Sequence, residues 1–334
     1  MSTLPNGHTP LSEEEMITAM TSIMDGQVDE AALADFLVNM NERGETAEEI
    51  TGAARVMREK ATSIKAPYGS VDCCGTGGDK SGTYNISTAV ALVAASCGVP
   101  VAKHGNRAAS SKSGAADVLE VLGVNLDVPK ERLEEALETL HFAFLMAPNH
   151  HQAMKHVVPV RKKLGRRTIF NLLGPLANPA GTRHQLIGVF DKKWLEPMAE
   201  TLRNLGTKRA WVVHGSDGLD EITVTGPTNI TTLDEEGRIE SKTLTPEHFG
   251  VPTHDLEKLK GGDADENAQA LRAVLEGQKC AYRDIVLANT AAVLVIQGKK
   301  DTLEDAVKTA QDTIDSGLAL QTLKDYVAFS RGQS

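Results

Sequence analysis

The sequence predicts an α/β protein with a small all-helical domain at its N-terminus and a large α/β domain built on a mostly parallel central sheet. Two observations lead to this prediction. The first 65 residues carry apolar side chains at helical spacing and no strand-like pattern. Beyond a linker at 65–69, short apolar runs alternate with amphipathic stretches, which is typical of a parallel sheet covered by helices.

The N-terminal domain is predicted from two apolar stripes and their capping residues. We expect the first helix to begin at Thr9-Pro10, because proline suits a first turn and acidic residues follow it. Thr46 and Glu49 have the spacing of a capping box and predict the start of a third helix. Stripes of this kind predict core packing and no chemistry. They consist of Met16, Ile17, Met20, Ile23 and Met24, and of Leu33, Phe36, Leu37 and Met40.

The large domain is predicted from its alternating strands and helices. The segment 222–244 is rich in threonine and β-branched residues and indicates antiparallel hairpins, and two helices at 281–298 and 303–316 close the chain. The predicted strands are 71–74, 99–102, 142–146, 186–190 and 210–213, and the helices between them are 86–97, 115–122, 131–140 and 194–205.

Composition narrows the classes of function. The 334 residues, of which 41% are hydrophobic, suffice for a core without disulfides. The net charge of −10 argues against nucleic-acid binding, because a phosphate backbone needs a basic face. The four cysteines form no C-x-x-C pair, the N-terminus has no signal-peptide core, and no apolar run is long enough to span a membrane. We therefore expect a cytoplasmic protein without membrane or nucleic-acid partners.

A glycine-rich turn, Gly-Thr-Gly-Gly-Asp at 75–79, follows the first predicted strand and precedes the helix at 86. Glycines let the backbone approach an anion closely, and the N–H groups of a helix start favour negative charge. Polar side chains surround the same helix entrance, namely Thr83, Asn85, Ser87 and Thr88. This cluster favours a phosphate site over the alternative, a tight turn with no ligand.

A basic loop at 103–111 follows the next predicted strand. It contains Lys103, His104, Asn106 and Arg107 within a few residues, at the carboxyl end of the strand. Ligands of open α/β sheets bind at that edge, and lysine and arginine there suit a phosphate. The alternative is a solvated basic loop. Two such loops after neighbouring strands favour the ligand site.

An acidic turn at 215–221 follows the predicted strand 210–213. Adjacent carboxylates at a strand end, Asp220 and Glu221, can hold magnesium, which prefers oxygen ligands. An acidic turn without a metal is the alternative. A phosphate-rich substrate favours the metal site, because magnesium bridges carboxylates to phosphates.

The segment 150–167 is basic and rich in histidine. We expect a helical stretch at 150–164 that Pro159 kinks or splits, with most of the nearby cations on its solvated surface. Spacing does not select which arginine faces a ligand. The histidines that are candidates for acid–base work, without a paired nucleophile, are His104, His150, His151 and His156. The residues alone predict a magnesium-dependent binder of a phosphorylated small molecule.

Five motifs in this order resemble the anthranilate phosphoribosyltransferase family: 75–79, 85–88, 103–111, 168–179 and 217–221. The resemblance implies transfer of the phosphoribosyl group of 5-phosphoribosyl 1-diphosphate to the amine of anthranilate, in tryptophan synthesis, with two magnesium ions per monomer. The implied fold is nucleoside phosphorylase-like. Residues 1–67, with helices from about 150–178, form the helical domain and a homodimer interface, and 68–149 and 179–334 form the α/β domain.

The resemblance also implies roles for individual residues. Magnesium ligands are Ser87, Asp220 and Glu221, and anthranilate contacts are Gly75, Asn106 and Arg161, with Arg161 reading the carboxylate. No residue receives a catalytic role by itself. The residues implied for the phosphoribosyl diphosphate pocket are Gly75, Gly78, Asp79, Thr83, Asn85, Ile86, Ser87, Thr88, Lys103, His104, Gly105, Asn106, Arg107, Ala108, Ala109, Ser110, Ser111 and Ala115.

The sequence departs from the family pattern at Lys80, Tyr84, Ala115 and Gln152, where the family often has Gly, Phe, Ser and Pro. The missing hydroxyl at Ala115 removes one phosphate contact. Two alternative functions are a pyrimidine nucleoside phosphorylase and a non-catalytic nucleic-acid-binding relative. The paired carboxylates argue against the first, and the acidic charge argues against the second.

Overall fold

The computed structural model describes residues 2–79, 81–108 and 112–333. In these residues seven strands form one sheet in the order β3-β2-β1-β4-β5-β6-β7. Strands β1 to β5 are parallel, and β6 and β7 are antiparallel at one edge. The strands are β1 (Val71–Gly75), β2 (Val101–Gly105), β3 (Phe142–Met146), β4 (His184–Gly188), β5 (Arg209–Gly215), β6 (Thr228–Leu233) and β7 (Ile239–Leu244).

The predicted fold class is confirmed, and so is the antiparallel hairpin within 222–244. No helix of the described residues is both long and apolar enough to cross a membrane. The helices are α1 (Glu13–Met24), α2 (Glu30–Arg43), α3 (Ala47–Glu59), α4 (Ile86–Ser96), α5 (Ala115–Val121), α6 (Lys130–Thr139), α7 (Ala147–His150), α8 (Val158–Leu164), α9 (Phe170–Leu173), α10 (Leu195–Asn204), α11 (Ala264–Leu275), α12 (Ala281–Gln297), α13 (Leu303–Asp315) and α14 (Leu318–Ser330).

Capping boxes set the starts of two N-terminal helices. The backbone N–H of Glu15 donates to the Ser12 hydroxyl, and the Ser12 N–H donates to the Glu15 carboxylate at 2.8 Å. The helix α1 therefore begins at Glu13, and the predicted start at Thr9-Pro10 is wrong, because Ser12 satisfies the free N–H groups of the first turn. The predicted box of Thr46 and Glu49 at the start of α3 is confirmed.

Buried apolar side chains form two cores on opposite faces of the sheet. Alternation along β5 places Val213 in the first core, with α4 and α12, and Val212 in the second. The second core joins the buried faces of α1 to α3 with side chains such as Val160 and Phe170, which come from the middle of the chain. This shared packing agrees with the predicted helical domain, whose boundaries stay a prediction.

Helix and strand limits differ from the expected ones in three places. The stretch 150–164 is split, as expected, but the breaks lie at His151 and Val157, and Pro159 lies within the first turn of α8. The strand predicted at 99–102 is β2 at Val101–Gly105, and that predicted at 186–190 is β4 at His184–Gly188. Helices α11 and α14 were not predicted.

The order of the strands places a topological switch point at β1. Strand β1 lies between β2 and β4, and Gly75 at its end pairs with Gly188 of β4. The loops after these two strands therefore diverge and leave a crevice at the carboxyl edge of the sheet, where open α/β folds bind ligands.

A Gly188→Ala variant should be destabilised. Its methyl group would lie 1.5 Å from the carbonyl oxygen of Asp220 and 2.3 Å from the carbonyl carbon, and backbone atoms cannot rotate out of the way. We expect the free energy of unfolding to fall by about 1–3 kcal/mol, with a lower Tm in thermal denaturation. Gly174→Ala is the matched control, because its methyl group meets nothing within 4 Å and φ is an ordinary −50°. Equal Tm values for the two variants would contradict this packing.

Candidate functional site

The acidic turn lies directly against the glycine-rich loop. The Gly77 N–H donates to Oδ2 of Asp220 at 2.8 Å. A Cβ atom on Gly75 would lie 2.1 Å from the same oxygen, so only glycine leaves room for the carboxylate there. The structure thus brings together the segments 75–79 and 215–221, which the sequence predicted to share one edge of the sheet.

Both carboxyl groups of the acidic pair have raised pKa values. Burial raises the pKa of Asp220 to about 7, and the charge of Asp79 acts in the same direction. Burial also raises the pKa of Glu221 well above its usual range, reinforced by Asp220 and opposed by the Lys103 ammonium. Closely spaced buried carboxyls favour a bound cation, because each disfavours ionisation of the others.

Lys103 lies inside the sheet and not on a loop. Strand β2 continues to Gly105, so the Lys103 side chain is only 2% exposed. Burial lowers the pKa of this ammonium group, but the acidic groups around it, Cys73 and then Asp72, outweigh burial, and the pKa is above its ordinary value. The Lys103 ammonium group therefore adds a buried positive charge near Glu221 of the acidic turn and lowers the pKa of that carboxyl group.

Hydrogen bonds fix the acidic turn from both sides. The Asp217 carboxylate accepts bonds from the hydroxyls of Thr223 and Thr225, each at 2.5 Å. On the other side, Oδ1 of Asn289 accepts from the Ile222 N–H at 2.9 Å, and its Nδ2 donates to the Ile222 carbonyl at 2.8 Å. The sequence analysis missed Asn289, although an asparagine inside the largely apolar stretch 281–298 was a signal that could have identified it.

A second buried amide holds the entrance of α4. The Nδ2 group of Asn267 donates to Oδ1 of Asn85 at 2.9 Å, and Oδ1 of Asn267 accepts from the Gly262 N–H at 2.8 Å. Asn85 in turn donates to the Ser113 carbonyl at 3.4 Å and accepts at its own carbonyl from the Tyr282 hydroxyl at 3.0 Å. Asn85 is thus oriented by α11 and α12, and Asn267 was also missed.

Two hydroxyl residues lie in the first turn of α4. The Ser87 N–H forms a backbone hydrogen bond that lowers the pKa of Glu221, which places the first turn of α4 beside that carboxyl group. The buried Thr88 hydroxyl has no partner among the residues that the structure describes. A buried hydroxyl without a partner is costly, so Thr88 is suited to a ligand group.

The loop after β2 is organised by Asp117 of α5. Its Oδ2 accepts from the N–H groups of Ala108 and Gly114, each at 2.9 Å. Arg107 was predicted to face phosphate, but its guanidinium donates to Asp117 at 3.0 Å and to Glu120 at 2.7 Å. Part of the predicted loop lies outside the described residues, namely Ala109, Ser110 and Ser111, as does Lys80.

Close packing explains the small residues beside this loop. A Cβ atom on Gly105 would lie 2.7 Å from the Phe144 ring and 3.4 Å from the Cβ of Ala115. The Asn106 side chain is exposed and accepts the N–H of Arg107 at 2.8 Å. Asn106 therefore directly follows the end of β2, and Ala115 lies close to Gly105.

Three histidines are buried and held neutral. Nδ1 of His104 lies 3.2 Å from the Gly174 carbonyl oxygen, and its ring centre lies 5.2 Å from that of His151. Burial lowers the pKa of His104 to about 3 and that of His151 to about 4. The Nε2 atoms of His104, His150 and His151 have no partner within the described part of the chain. Because a carbonyl only accepts, Nδ1 of His104 carries the proton and Nε2 remains a free acceptor.

Arg161 is a half-buried cation without an acidic partner among the described residues. Its guanidinium carbon lies 5.6 Å from the centre of the Phe170 ring, and burial lowers its pKa, although arginine stays charged. No hydrogen bond in the described residues joins it to Gly75 or Asn106. An unpaired, partly desolvated cation favours binding of an anion.

The other cations of this segment behave differently from one another. The expectation of solvated surface is confirmed for Lys162, Lys163 and Arg166, which are exposed. Arg167 is half-buried, and its guanidinium donates to the Gly78 carbonyl and stacks 3.8 Å from the centre of the Phe190 ring.

The chemistry of the donors suits magnesium more than a transition metal. Asp79, Asp220 and Glu221 supply only oxygen, and no histidine takes part in their pKa shifts. No three acidic, histidine or cysteine groups of residues 2–79, 81–108 and 112–333 converge tightly enough to hold an ion by themselves. This arrangement fits magnesium, which usually retains several water ligands and takes the rest from one or two carboxylates and the phosphate oxygens of a substrate.

Comparisons with known proteins cover nearly the whole chain. Residues 3–61 match the helical bundle domain of a glycosyl transferase family, and residues 68–320 match its α/β domain. The anthranilate phosphoribosyltransferase of Rhodospirillum rubrum is 56% identical over 319 residues, covering 96% of this chain and 92% of that protein. The enzyme of the same name from Azospirillum brasilense is 54% identical over 320 residues, covering 96% and 89%.

Solved structures agree with these matches. The anthranilate phosphoribosyltransferase of Thermus thermophilus superposes with a TM-score of 0.93 at 45% identity, covering 99% of this chain and all of the other. The enzyme of Saccharomyces cerevisiae in complex with PRPP (phosphoribosyl diphosphate) and Mg gives a TM-score of 0.87 at 28% identity, covering 96% and 94%. A 4-fluoroanthranilate complex of the yeast enzyme gives 0.86 at 27%, with the same coverage.

The buried, neutral His104 should make stability depend on pH. Its pKa of about 3 in the folded protein is below the ordinary 6.5, so the unfolded chain takes up the proton first as pH falls. The free energy of unfolding should therefore decrease below pH ~6.5, by up to about 1.4 kcal/mol per pH unit from this group. His104→Asn retains an N–H donor near the position of Nδ1, and its denaturation midpoints should change less between pH ~6 and ~4. The exposed His8→Asn is the control, and a wild-type pH slope in His104→Asn would refute the assignment.

Proposed function

The chain belongs to the anthranilate phosphoribosyltransferases, the magnesium-dependent pentosyltransferases of tryptophan synthesis, and on this premise we propose how its residues divide the work. The reaction joins the phosphoribosyl group of 5-phosphoribosyl 1-diphosphate to the amine of anthranilate and releases diphosphate. The contact between the half-buried Asp220 carboxylate and the glycine-rich loop is the observation that carries the proposal.

The phosphoribosyl diphosphate pocket is proposed at the switch point of the sheet. The glycine-rich loop and the first turn of α4 supply backbone N–H groups and hydroxyls for phosphate oxygens. The buried hydroxyl of Thr88 and the oriented amide of Asn85 support this assignment. The exposed Arg107 can exchange its bonds to Asp117 and Glu120 for a phosphate, because exposed ion pairs contribute little.

Magnesium is proposed to be held by Ser87, Asp220 and Glu221, with two ions per monomer. When bound, it neutralises the charge that develops on the leaving diphosphate. The raised pKa values of both carboxyls support the need for a cation. Lys103 is the buried positive charge next to Glu221, and one ammonium group cannot balance two carboxylates and a diphosphate.

Anthranilate is proposed to bind with its carboxylate on Arg161, with Gly75 and Asn106 as further contacts. The half-buried Arg161 side chain has neither an ion pair nor a hydrogen bond among the described residues, and a carboxylate would form the missing pair. The yeast complex with 4-fluoroanthranilate supports a specific site for this class of aromatic acid in the family.

Catalysis by this site is proposed to rest on positioning and electrostatics. The bond between the anomeric carbon and diphosphate breaks through an oxocarbenium-like state, and the neutral aromatic amine supplies the electron pair of the new C–N bond. The attacking amine loses its proton after attack, to the released diphosphate or to water, so no strong base is needed beforehand. The neutral imidazoles fit this requirement, because none adds positive charge near the cationic sugar carbon.

A fluorescence assay tests the function directly. Anthranilate fluorescence should fall only when phosphoribosyl diphosphate and magnesium are both present. A nucleoside phosphorylase would instead release a base from a pyrimidine nucleoside with phosphate, and a nucleic-acid-binding relative would do neither. Unchanged anthranilate fluorescence with the folded protein, both substrates and magnesium would overturn the proposal.

The Arg161→Ala variant should lose affinity for anthranilate selectively. Loss of a charge-assisted pair costs on the order of 1.5–3 kcal/mol, so the apparent anthranilate constant should rise roughly ten- to hundredfold. The apparent constant for phosphoribosyl diphosphate should change far less in the same steady-state assay. Lys162→Ala is the control, since this neighbouring cation is exposed. Equal effects on both substrates would favour a structural role for Arg161.

Removal of the acidic pair should create a magnesium defect. Chelation should abolish turnover of the wild type, and Asp220→Asn with Glu221→Gln should raise the magnesium needed for half-maximal activity by at least roughly 10- to 100-fold. The neutral amides keep the size of the side chains, so circular dichroism should show an intact fold. The exposed pair Glu235→Gln with Glu236→Gln is the control. Wild-type turnover with an unchanged magnesium requirement would place the metal elsewhere.

We also propose a cytoplasmic homodimer that forms through the helical domain. This proposal rests on the resemblance of the N-terminal helices to the helical bundle domain of the family. Light scattering should give about twice the mass of 35.7 kDa across working concentrations. A monomer mass would refute the dimer and leave the enzymatic proposal intact.

A further inference from the structure

Arg167 contacts both loops of the switch point. Its guanidinium donates to the carbonyl oxygen of Gly78 in the glycine-rich loop, and it stacks on the ring of Phe190 after β4, 3.8 Å from the ring centre. The two loops are also joined to each other, because the Phe190 N–H donates to the Thr76 hydroxyl at 3.1 Å. One side chain from the middle of the chain thus contacts both walls of the crevice.

The glycine-rich loop needs support of this kind. Gly77 and Gly78 have consecutive positive φ angles of 67° and 72°. In an unrestrained chain this is only one of many backbone conformations that glycine adopts. The N–H of Gly77 is fixed by Asp220, and the carbonyl of Gly78 is fixed by Arg167. The loop is therefore held on one side by an anion and on the other by a cation.

Arg167 and Arg161 belong to one short piece of chain. Helix α8 ends at Leu164, and the next residue, Gly165, has a left-handed φ of 59° and an N–H that donates to the Arg161 carbonyl at 3.1 Å. On the other side, the N–H of Thr168 donates to the side chain of Asn171, in the first turn of α9, at 3.0 Å. The short connection between these two hydrogen bonds carries Arg167, so only a few hydrogen-bonded residues separate it from Arg161.

We propose that Arg167 is a positioning residue that holds the glycine-rich loop against the segment carrying Arg161, so that the two substrates are bound in a fixed relation. The inference rests on the proposed function. It assigns to Arg167 no contact with the reacting atoms. Its role is to bind the Gly78 carbonyl oxygen and so keep this carbonyl turned away from the diphosphate.

Calorimetric titration of the full-length protein with diphosphate and magnesium tests this role without turnover. Arg167→Gln should bind diphosphate about tenfold more weakly than wild type, because the loop loses a charge-assisted bond. The adjacent Arg166→Gln is the matched control: Arg166 is exposed and paired with Glu42, and its replacement should leave diphosphate binding unchanged. Diphosphate binding by Arg167→Gln as tight as wild type would overturn the proposal.

Steady-state kinetics separates positioning from a general loss of folded protein. In Arg167→Gln the apparent constant for phosphoribosyl diphosphate should rise more than that for anthranilate, the opposite of the Arg161→Ala pattern. A purely structural defect lowers turnover with both constants unchanged, and that result would refute the inference. If wild type itself fails to bind phosphoribosyl diphosphate with magnesium, the proposed function fails instead.

A second variant keeps the test valid if Arg167→Gln does not fold. Phe190→Leu removes the aromatic face beneath the guanidinium but retains an apolar side chain of similar size. It should weaken diphosphate binding in the same direction, by roughly two- to fivefold, the loss expected for one cation–π contact. Unchanged diphosphate affinity in Phe190→Leu, with a wild-type Tm, would count against Arg167 as the residue that holds the loop.

Discussion

The close approach of Asp220 to the ends of two parallel strands is the constraint on which the site depends. Its carbonyl oxygen lies where a side chain at Gly188 would be, and its carboxylate lies where one at Gly75 would be. The same carboxylate accepts the Gly77 N–H, so the acidic turn and the glycine-rich loop form one unit. Neither segment can move far without the other, and a ligand bound between them meets a preformed site.

Three buried asparagine side chains hold this unit in place. Asn178 donates to the Asp72 carboxylate at 2.7 Å and to the Ala102 carbonyl at 2.8 Å. Asn267 holds the entrance of α4, and Asn289 holds the end of the acidic turn. Each amide both donates and accepts, so it satisfies polar groups that loops at a sheet edge leave unpaired. Amides do not titrate, so the capacity of these three side chains to donate and accept does not change with pH.

The sequence predicted the parts of the site that depend on local chemistry. A glycine-rich turn, a polar helix entrance and paired carboxylates after successive strands can be identified within short windows, and the structure places 75–79 and 215–221 in contact. The prediction of a helix start at Thr9-Pro10 failed because Ser12 caps the helix instead. The N–H of the preceding residue, Leu11, donates to the distant Glu49 carboxylate, a contact that no local pattern indicates.

Residues whose roles depend on distant partners were not predictable from local patterns. Arg167 looks like its neighbour Arg166 in sequence, but one contacts Gly78 and the other pairs with Glu42 on the surface. Asn267 lies 182 residues from Asn85, and no local pattern connects them. Lys103 was assigned to a loop because the strand was predicted to end at 102, whereas β2 continues to Gly105. The neighbouring acidic groups make the burial of Lys103 tolerable.

The candidate site residues combine groups of opposite electrostatic character. The acidic pair and the buried ammonium group of Lys103 form a strongly charged region around the glycine-rich loop. The buried imidazoles of His104 and His151 are neutral, and the half-buried Arg161 is a cation without an acidic partner in the described residues. Burial keeps the imidazoles neutral, whereas burial and mutual repulsion together make the closely spaced carboxyl groups dependent on a cation.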